Sequence, residues 1–265
     1  MPDSTLHITL SAHKKIYFAS DFHLGAPDHN ASLIRERRLL QWLDTIRQDA
    51  QMICLVGDLF DFWFEYRRVV PKGFVRLLGK LGELSDAGIE ILVFPGNHDM
   101  WVSGYFEKEL GIKCYRKPLQ LTVESYHQTT WFWITHGDGL GPGDEEYKRL
   151  KKVFENRAAR WLFGNLFHPD WALWLGHTWA KYSWQKHQKE GLPTFMGEQN
   201  EWLFQYAKDI EQRLHHDFYV FGHRHIELYH PLSERSQVII LGDWIHYSTY
   251  GVFDGQAFVL TRFEK

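Results

Sequence analysis

The stretch GIEILVFPGNHDM, residues 88–100, decides the fold because a continuous apolar run ends abruptly in polar residues. An apolar run of this length between turn residues predicts a strand that is buried on both faces. The polar end, Gly96 to Asp99, has two interpretations. A Gly-Asn pair is typical of a tight surface turn, and the same residues could also form the edge of a binding site. Other segments of the chain favour the second interpretation.

The same combination of an apolar strand and a polar end recurs along the chain. The five ends are Asp21-x-His23, Gly57-Asp58, Gly96-Asn97-His98-Asp99, His136-Gly137-Asp138 and Gly222-His223-Arg224-His225. Loops at the carboxyl ends of strands in α/β sheets converge, and glycine allows the backbone to approach a ligand closely. We therefore expect these polar residues to meet in one site. Their mixture of carboxylate, amide and imidazole donors suits a divalent ion such as manganese, iron or zinc.

Helical periodicity between the strands predicts the fold class. Apolar residues recur at helical spacing over Asn30–Gln48, Pro71–Ser85 and Trp101–Leu110. This strand–helix alternation favours α/β architecture. The second half reads instead as neighbouring strands, among them LQLTVES, WFWITHGD, IELYHPL, QVIILGDW and GQAFVLTRF. We therefore predict a single domain over residues 1–265, with two sheets packed face to face and helices outside.

Residues 147–208 interrupt this pattern with a helical, aromatic-rich segment, which we predict to be an insertion, or cap, within the domain. Its aromatic residues include Trp161, Phe163, Trp171, Trp174, Trp179 and Trp184. They allow three interpretations: packing of the cap's own helices, an apolar slot with a membrane-surface patch, and a surface for a protein partner. Basic residues are interleaved with the aromatic ones, namely Arg157, Arg160, Lys181 and Lys186. This interleaving favours contact with a membrane surface.

The composition limits which cellular compartments and binding partners are expected. The formal net charge is −3, so no general attraction to nucleic acid is predicted. The only cysteines, Cys54 and Cys114, fit a reducing compartment better than a disulfide framework. The N-terminal MPDSTLHITL lacks the pattern of a signal peptide, and no run approaches the roughly 18 apolar residues of a membrane span. We expect a cytoplasmic protein that can also lie on the inner membrane surface, and the sequence leaves its oligomeric state undetermined.

The ordered set D-x-H, G-D, G-N-H-D, H-G-D and G-H-x-H, from Asp21 to His225, resembles the calcineurin-like metallophosphoesterase superfamily. The resemblance implies a four-layer α/β/β/α sandwich that holds two divalent metal ions, with manganese favoured over iron or zinc. The implied ligands of one ion are Asp21, His23, Asp58 and His225. The implied ligands of the other ion are Asp58, Asn97, His136 and His223, so that Asp58 bridges the pair.

Three residues beside the ligands have implied roles of their own. His98 resembles the family histidine that stabilises the transition state or protonates the leaving oxygen. Asp61 matches the position that orients this histidine, although a carboxylate that only caps the loop is an alternative. Asp99 is expected to brace the turn rather than to act chemically. Because adjacent divalent ions activate water and neutralise phosphoryl oxygens, the expected reaction is phosphoester hydrolysis.

Three longer segments resemble one branch of this superfamily more closely. They are GDLFDFW from Gly57, HGDGLGPGDEEY from His136 and LGDWIHYS from Leu241. Members of this branch, the UDP-2,3-diacylglucosamine pyrophosphohydrolases, release UMP and 2,3-diacylglucosamine 1-phosphate in lipid A biosynthesis and carry a helical cap. The resemblance therefore implies a lipid-nucleotide substrate. The residues it places at that substrate are Asn97, His98, Asp144 and His223.

One position departs from the branch and keeps other functions open. The best-known members have arginine after the motif asparagine, whereas this chain has His98, as the wider superfamily does. The alternatives are another phosphomonoester or phosphodiester, including nucleotides and nucleic acid, and a non-catalytic scaffold. A nuclease or protein phosphatase needs a broad polymer groove, which the near-neutral charge and the apolar cap disfavour. The complete set of ligands disfavours a scaffold.

Overall fold

The computed structural model describes residues 4–102, 104–126, 128–142, 145–166, 168–171, 174, 178 and 191–264. The strands are β1 (Ser4–Thr9), β2 (Lys15–Ala19), β3 (Ala50–Leu55), β4 (Glu90–Val93), β5 (Lys113–Cys114), β6 (Leu119–Ser125), β7 (Gln128–Ile134), β8 (Phe218–Phe221), β9 (Glu227–Pro231), β10 (Gln237–Leu241), β11 (Thr249–Phe253) and β12 (Phe258–Arg262). The helices are α1 (His29–Ile46), α2 (Val75–Asp86), α3 (Tyr105–Glu109), α4 (Glu145–Glu155), α5 (Arg157–Leu166) and α6 (Trp202–Glu211).

The strands form two six-stranded sheets. The first sheet has the order β12-β11-β2-β3-β4-β5, and its strands β2 to β5 are parallel. The second sheet has the order β1-β6-β7-β8-β10-β9, with β7, β8 and β10 parallel. Parallel strands end at the same edge of a sheet. The polar segments after β2, β3 and β4 are therefore neighbours in one sheet, and those after β7 and β8 are neighbours in the other.

The buried apolar residues form three cores. In β2, Ile16 and Phe18 point into a core shared by the two sheets, whereas Tyr17 and Ala19 pack with residues of α1 and α2. This period of two is the pattern of a strand that is buried on both faces. A third core lies between the second sheet and apolar residues of α6. The layers are thus helix, sheet, sheet and helix, and the predicted four-layer α/β/β/α class is confirmed.

The helix boundaries differ from the predictions where the backbone adopts another local conformation. The first helix begins after Asp28, whose carboxylate caps it by accepting a hydrogen bond from the Ala31 amide. Its ends lie within two residues of the predicted range. The second helix begins at Val75 rather than near Pro71, because the preceding Phe74 is left-handed, with φ of 56°. The third begins at Tyr105, since Trp101 forms an isolated bridge with Phe64 instead of a helical turn.

The residues predicted as an insertion divide into two described parts. Large apolar side chains are exposed in the first part, namely Trp161 of α5 at 64%, and Trp171 at 73% and Trp174 at 68% beyond the end of α5. Helix α6 begins within the same predicted range and extends three residues beyond it, and its Leu203 and Phe204 are buried in the third core. Some predicted cap residues lie outside the described part of the chain, namely Gly176, Trp179, Lys181 and Trp184, with Lys186 beside them. The side chains of Arg157 and Arg160 are likewise outside it.

Two further features concern the cysteines and the hydropathy of the helices. Both cysteines are free thiols, and Cys54 is buried between the sheets. Of the helices that the structure describes, none combines the length and the hydropathy needed to span a bilayer.

The core between the sheets generates the first testable prediction. Leu121 in β6 is fully buried there, so Leu121→Ala removes buried methyl groups and leaves a cavity. We expect the free energy of unfolding to fall by about 2–5 kcal/mol in urea titrations. The control is Ile34→Ala on α1, whose side chain is 63% exposed and whose loss should change this free energy by about 0.5 kcal/mol or less. Equal effects of the two substitutions would contradict the assignment of this core.

Candidate metal centre

The loops after β2, β3, β7 and β8 are joined to one another by backbone hydrogen bonds. The amide of Asp21 donates to the Gly57 carbonyl at 3.0 Å, and the amide of Gly222 donates to the His136 carbonyl at 3.0 Å. A third contact crosses between the sheets, because the amide of His223 donates to the carboxylate of Asp21 at 3.0–3.1 Å. The strand ends of both sheets therefore meet in one place, as the sequence predicts.

The first cluster consists of Asp21, His23 and His225, whose ligand atoms all lie within 4.8 Å of one another. Nε2 of His225 is 3.3 Å from Oδ1 of Asp21 and 3.2 Å from Nε2 of His23. Asp21 and His23 are buried, and His225 is partly exposed. Two imidazoles and one carboxylate thus point at a common position, an arrangement that suits a divalent cation.

The second cluster consists of Asp58, His136 and His223, whose ligand atoms likewise lie within 4.8 Å of one another. Oδ1 of Asn97 lies beside them, 3.3 Å from Nε2 of His136. Oδ2 of Asp58 is 3.3 Å from Nε2 of His136 and 3.6 Å from Nε2 of His23, so this carboxylate faces both clusters. All seven residues predicted as ligands are therefore close together, and their assignment to particular ions stays a prediction.

Backbone strain is concentrated in these residues. Asp21, His23, Asp58, His223 and His225 have positive φ angles of 56°, 43°, 52°, 67° and 53°. Such angles are uncommon outside glycine, and each costs of order 1–3 kcal/mol. The surrounding hydrogen bonds and packing hold these side chains in directions that an unstrained backbone would not give them.

Two glycines leave the room that the clusters need. A Cβ atom on Gly96 would lie 2.2 Å from Oδ1 of Asp58 and 2.7 Å from Nε2 of His136. A Cβ atom on Gly222 would lie 2.7 Å from Oδ2 of Asp21. Any other residue at these positions would push the candidate ligands apart, which is the physical reason for the glycines in the G-N-H-D and G-H-x-H segments.

The carboxylates make the centre favourable for positive charge. Burial lowers the pKa of His136, but Asp58 and then Asp21 raise it to about 10, and His23 beside Asp21 has a pKa of about 10 for the same reasons. Burial would raise the pKa of Asp58, yet His136 helps to hold it well below its usual range. His223 differs, because burial and the neighbouring His136 lower its pKa to about 4, so it is a neutral imidazole. Protons or divalent cations satisfy the same negative charge here.

His98 and Asp61 lie next to the clusters. The ring of His98 packs edge-on against His23, with centroids 4.7 Å apart, and its backbone amide donates to Oδ1 of Asp58 at 2.9 Å. Nδ1 of His98 is 3.0 Å from the carbonyl oxygen of Asp61 and 3.5 Å from its carboxylate. That carboxylate is also 3.6 Å from Nδ1 of His23. Asp61 thus adjoins both histidines, and its nearest contact with His98 is through the backbone.

Asp99 connects two of the loops. Its Oδ1 accepts a hydrogen bond from the Gly96 amide at 2.7 Å, and its Oδ2 accepts one from the Leu59 amide at 2.8 Å. These contacts fit the predicted bracing role. Asp144, predicted at the substrate, lies outside the described residues.

Two supporting residues have no place in the sequence-based prediction. The Arg35 guanidinium is buried and donates to the carbonyl oxygens of Phe22, His23 and Ala26, each at 2.6 Å, which fixes the loop after β2. Asp243, in the LGDW segment after β10, lies 3.1 Å from Nδ1 of His225. The position of Arg35 on the buried face of α1 is a signal in the sequence that its charge has a buried partner. The contact between Asp243 and His225 can be seen only in the fold.

A largely buried set of oxygen and imidazole donors at the junction of two packed sheets fits divalent ions, which is the arrangement of a metal-dependent hydrolase. The family model for calcineurin-like phosphoesterases matches residues 14–227. The chain belongs to the calcineurin-like phosphoesterase family.

Curated relatives extend over nearly the whole chain. A UDP-2,3-diacylglucosamine hydrolase of Porphyromonas gingivalis is 41% identical over 94% of this chain and 98% of its own length. A protein of the same name from Neisseria meningitidis serogroup A is 27% identical over 95% of this chain and 99% of its own length. Among solved structures, a phosphoesterase-like protein of Streptococcus pneumoniae aligns with 94% of this chain and 88% of its own, at 14% identity and a TM-score of 0.37.

The position of Asp58 between the clusters generates the second prediction. Asp58→Ala removes the carboxylate that faces both of them, so bound metal should decrease and hydrolysis of a small artificial phosphodiester should cease. Metal content is measured by elemental analysis after dialysis against Mn²⁺, and activity is measured on the same sample. Asp86→Ala, at the exposed end of α2, is the matched control and should keep both. Full activity of Asp58→Ala, or of the original chain after exhaustive chelation, would refute the dinuclear assignment.

Proposed function

We propose that this chain hydrolyses the pyrophosphate of UDP-2,3-diacylglucosamine to UMP and 2,3-diacylglucosamine 1-phosphate, a step of lipid A biosynthesis. The observation that carries the proposal is its 41% identity to the Porphyromonas gingivalis UDP-2,3-diacylglucosamine hydrolase over 94% of this chain. The GDLFDFW, HGDGLGPGDEEY and LGDWIHYS segments support the same branch. The two clusters supply the donors that such a reaction needs.

The proposed cofactors are two manganese ions, with iron or zinc as alternatives. When bound, such ions activate water and neutralise the phosphoryl oxygens. Asp21, His23, Asp58 and His225 are the proposed ligands of one ion. Asp58, Asn97, His136 and His223 are the proposed ligands of the other. The task of the protein residues is to hold these donors rigidly in a buried place, and the strained backbone of the ligand loops supports that role.

The charge beside the second cluster suits a phosphate-bearing substrate. A cleft adjoins His136 and is lined by Arg116, Lys151 and Asp138 among others. Nζ of Lys151 lies 2.7 Å from the carboxylate of Asp138, which fixes this ammonium group in the lining of the cleft. Asn97, His98 and His223 are proposed to contact the substrate phosphates from the side of the clusters, with Asp144 as a further contact.

His98 is the proposed catalytic residue that does not bind metal. Its Nδ1 faces the Asp61 carbonyl oxygen at 3.0 Å, so Nε2 is the ring nitrogen available to the transition state or the leaving oxygen. Asp61 is proposed to hold the ring in this orientation. This pairing resembles general acid catalysis by a positioned imidazole.

The third prediction tests His98. His98→Ala should lower kcat by roughly 10²–10⁴ while both ions stay bound, because the residue acts on the transition state. Turnover and metal content are measured together, with His29→Ala at the exposed start of α1 as the matched control. Loss of metal in His98→Ala would show that the residue is a ligand instead. His98→Arg adds a comparison with the branch: retained activity on the lipid nucleotide shows that the two side chains are interchangeable.

The exposed aromatic residues are proposed to receive the acyl chains and to bring the protein to the membrane surface. Trp161, Trp171 and Trp174 are each more than 60% exposed, which is unusual for such large apolar side chains. The chain is proposed to work in the cytoplasm, in peripheral contact with the inner membrane. Burial of each acyl methylene contributes about 0.8 kcal/mol, so a few methylenes suffice to dominate the choice of substrate.

The fourth prediction tests the substrate. UDP-2,3-diacylglucosamine should be cleaved to UMP with a kcat/KM that exceeds that of its deacylated form by orders of magnitude, in assays that compare Mn²⁺, Zn²⁺ and Mg²⁺. Trp161→Ala and Trp174→Ala should reduce this preference and spare a small phosphodiester, and Val75→Ala, 74% exposed on α2, is the control. Equal rates on both sugars would refute the acyl site. Faster cleavage of a simple phosphodiester or of nucleic acid would favour another metallophosphoesterase activity.

A further inference from the structure

The ring of His225 is held from both of its edges. Nε2 points into the first cluster, 3.3 Å from Oδ1 of Asp21, and Nδ1 lies 3.1 Å from Oδ2 of Asp243. The two nitrogens lie on opposite sides of an imidazole, so a hydrogen bond at Nδ1 fixes the direction and the tautomer of Nε2. A metal-ligating histidine needs both to be fixed.

Asp243 is itself a rigid partner. It is fully buried, and its Oδ1 accepts hydrogen bonds from the amides of Ile245 and His246 at 3.0 and 2.7 Å. Its Oδ2 lies 2.9 Å from Nδ1 of His246 as well as close to His225. A buried carboxylate with this many donors keeps one orientation.

The backbone next to Asp243 is anchored to the same cluster. The amide of Trp244 donates to the carbonyl oxygen of Asp21 at 3.1 Å. Its indole is buried in the core between the first sheet and the helices α1 and α2, where its ring centroid is 5.6 Å from Phe22 and 5.2 Å from Trp42. The LGDW segment thus joins the end of β10 to the loop after β2 and places the carboxylate behind His225.

The support of His136 in the second cluster is different in kind. Nδ1 of His136 lies 2.8 Å from the backbone carbonyl of Val56, a neutral acceptor. A carboxylate orients an imidazole as a carbonyl does, and it also raises the basicity of the opposite nitrogen. The two histidines therefore differ in the charge of the group behind them.

We propose that Asp243 is a positioning residue for metal binding, which orients His225 and strengthens its Nε2 as a donor to a divalent ion in the first cluster. This role rests on the proposed function only through the ligand role of His225, and on no property of the substrate. It assigns a role to the LGDW segment that the resemblance alone does not give.

The test is a titration of metal-free protein with Mn²⁺, followed by calorimetry, which involves no substrate. Asp243→Asn keeps the shape of the side chain and removes its charge. One of the two Mn²⁺ equivalents should bind roughly 10–100-fold more weakly, while the other keeps its affinity. Turnover of a small phosphodiester should recover when Mn²⁺ is raised to saturation. Asp254→Asn is the matched control, because Asp254 also accepts backbone hydrogen bonds, from Gln256 and Ala257 at 2.9 Å, but in the turn between β11 and β12.

Two results would overturn the proposal. The first is Asp243→Asn protein that binds both equivalents as tightly as the original chain. The second is a purely structural effect: both equivalents weaken alike, the metal-free protein unfolds at lower urea, and excess Mn²⁺ restores no turnover. Asp243→Ala extends the series if it folds, and the isosteric asparagine keeps the test decisive if it does not. Failure of the proposed lipid-nucleotide activity leaves this titration unaffected.

Discussion

The burial of several carboxylates at the junction of the two sheets is the constraint on which the rest of this structure depends. Asp21, Asp58 and Asp61 are each 5% exposed or less, and all three lie around His23. An ionised carboxylate away from water is costly unless positive charge and hydrogen-bond donors surround it. The histidines of both sheets and the amides of His98 and His223 are such donors. Protons on these histidines, or divalent cations between the two clusters, would complete the compensation.

Local strain and close contact follow from this constraint. The candidate ligands must come from short loops on two different sheets and still converge, and five of them have left-handed backbone angles as a result. Gly96 and Gly222 stand where a side chain would collide with the carboxylates of Asp58 and Asp21. Arg35 then holds its loop by donating hydrogen bonds to backbone carbonyls, and Asp99 holds two loops by accepting hydrogen bonds from backbone amides. The backbone strain at the ligands is destabilising, and the hydrogen bonds and packing around them offset it.

The sequence predicts most of the candidate site because its information is local. Each strand-end segment carries its own apolar run, its glycine and its polar residue, and α/β topology brings such ends together. The features that the sequence does not predict depend on contacts between distant segments. Asp243 meets His225 because β10 and β8 are neighbours, which no pattern around residue 243 records. The late start of α2 depends on the left-handed Phe74, a bulky residue for which propensity predicts the opposite.

Helices α4 and α5 are joined to the ligand loops by specific contacts. The indole nitrogen of Trp101, just after the G-N-H-D segment, donates to the carbonyl oxygen of Phe154 in α4 at 3.0 Å. Lys151 of the same helix pairs with Asp138 after β7, and Phe163 of α5 packs 5.3 Å from Trp101. These contacts attach α4 and α5 directly to the segments that carry His98 and His136. An acyl group bound on these helices, as proposed, would be held at a defined distance from the clusters, so that its binding would also orient the phosphoryl group.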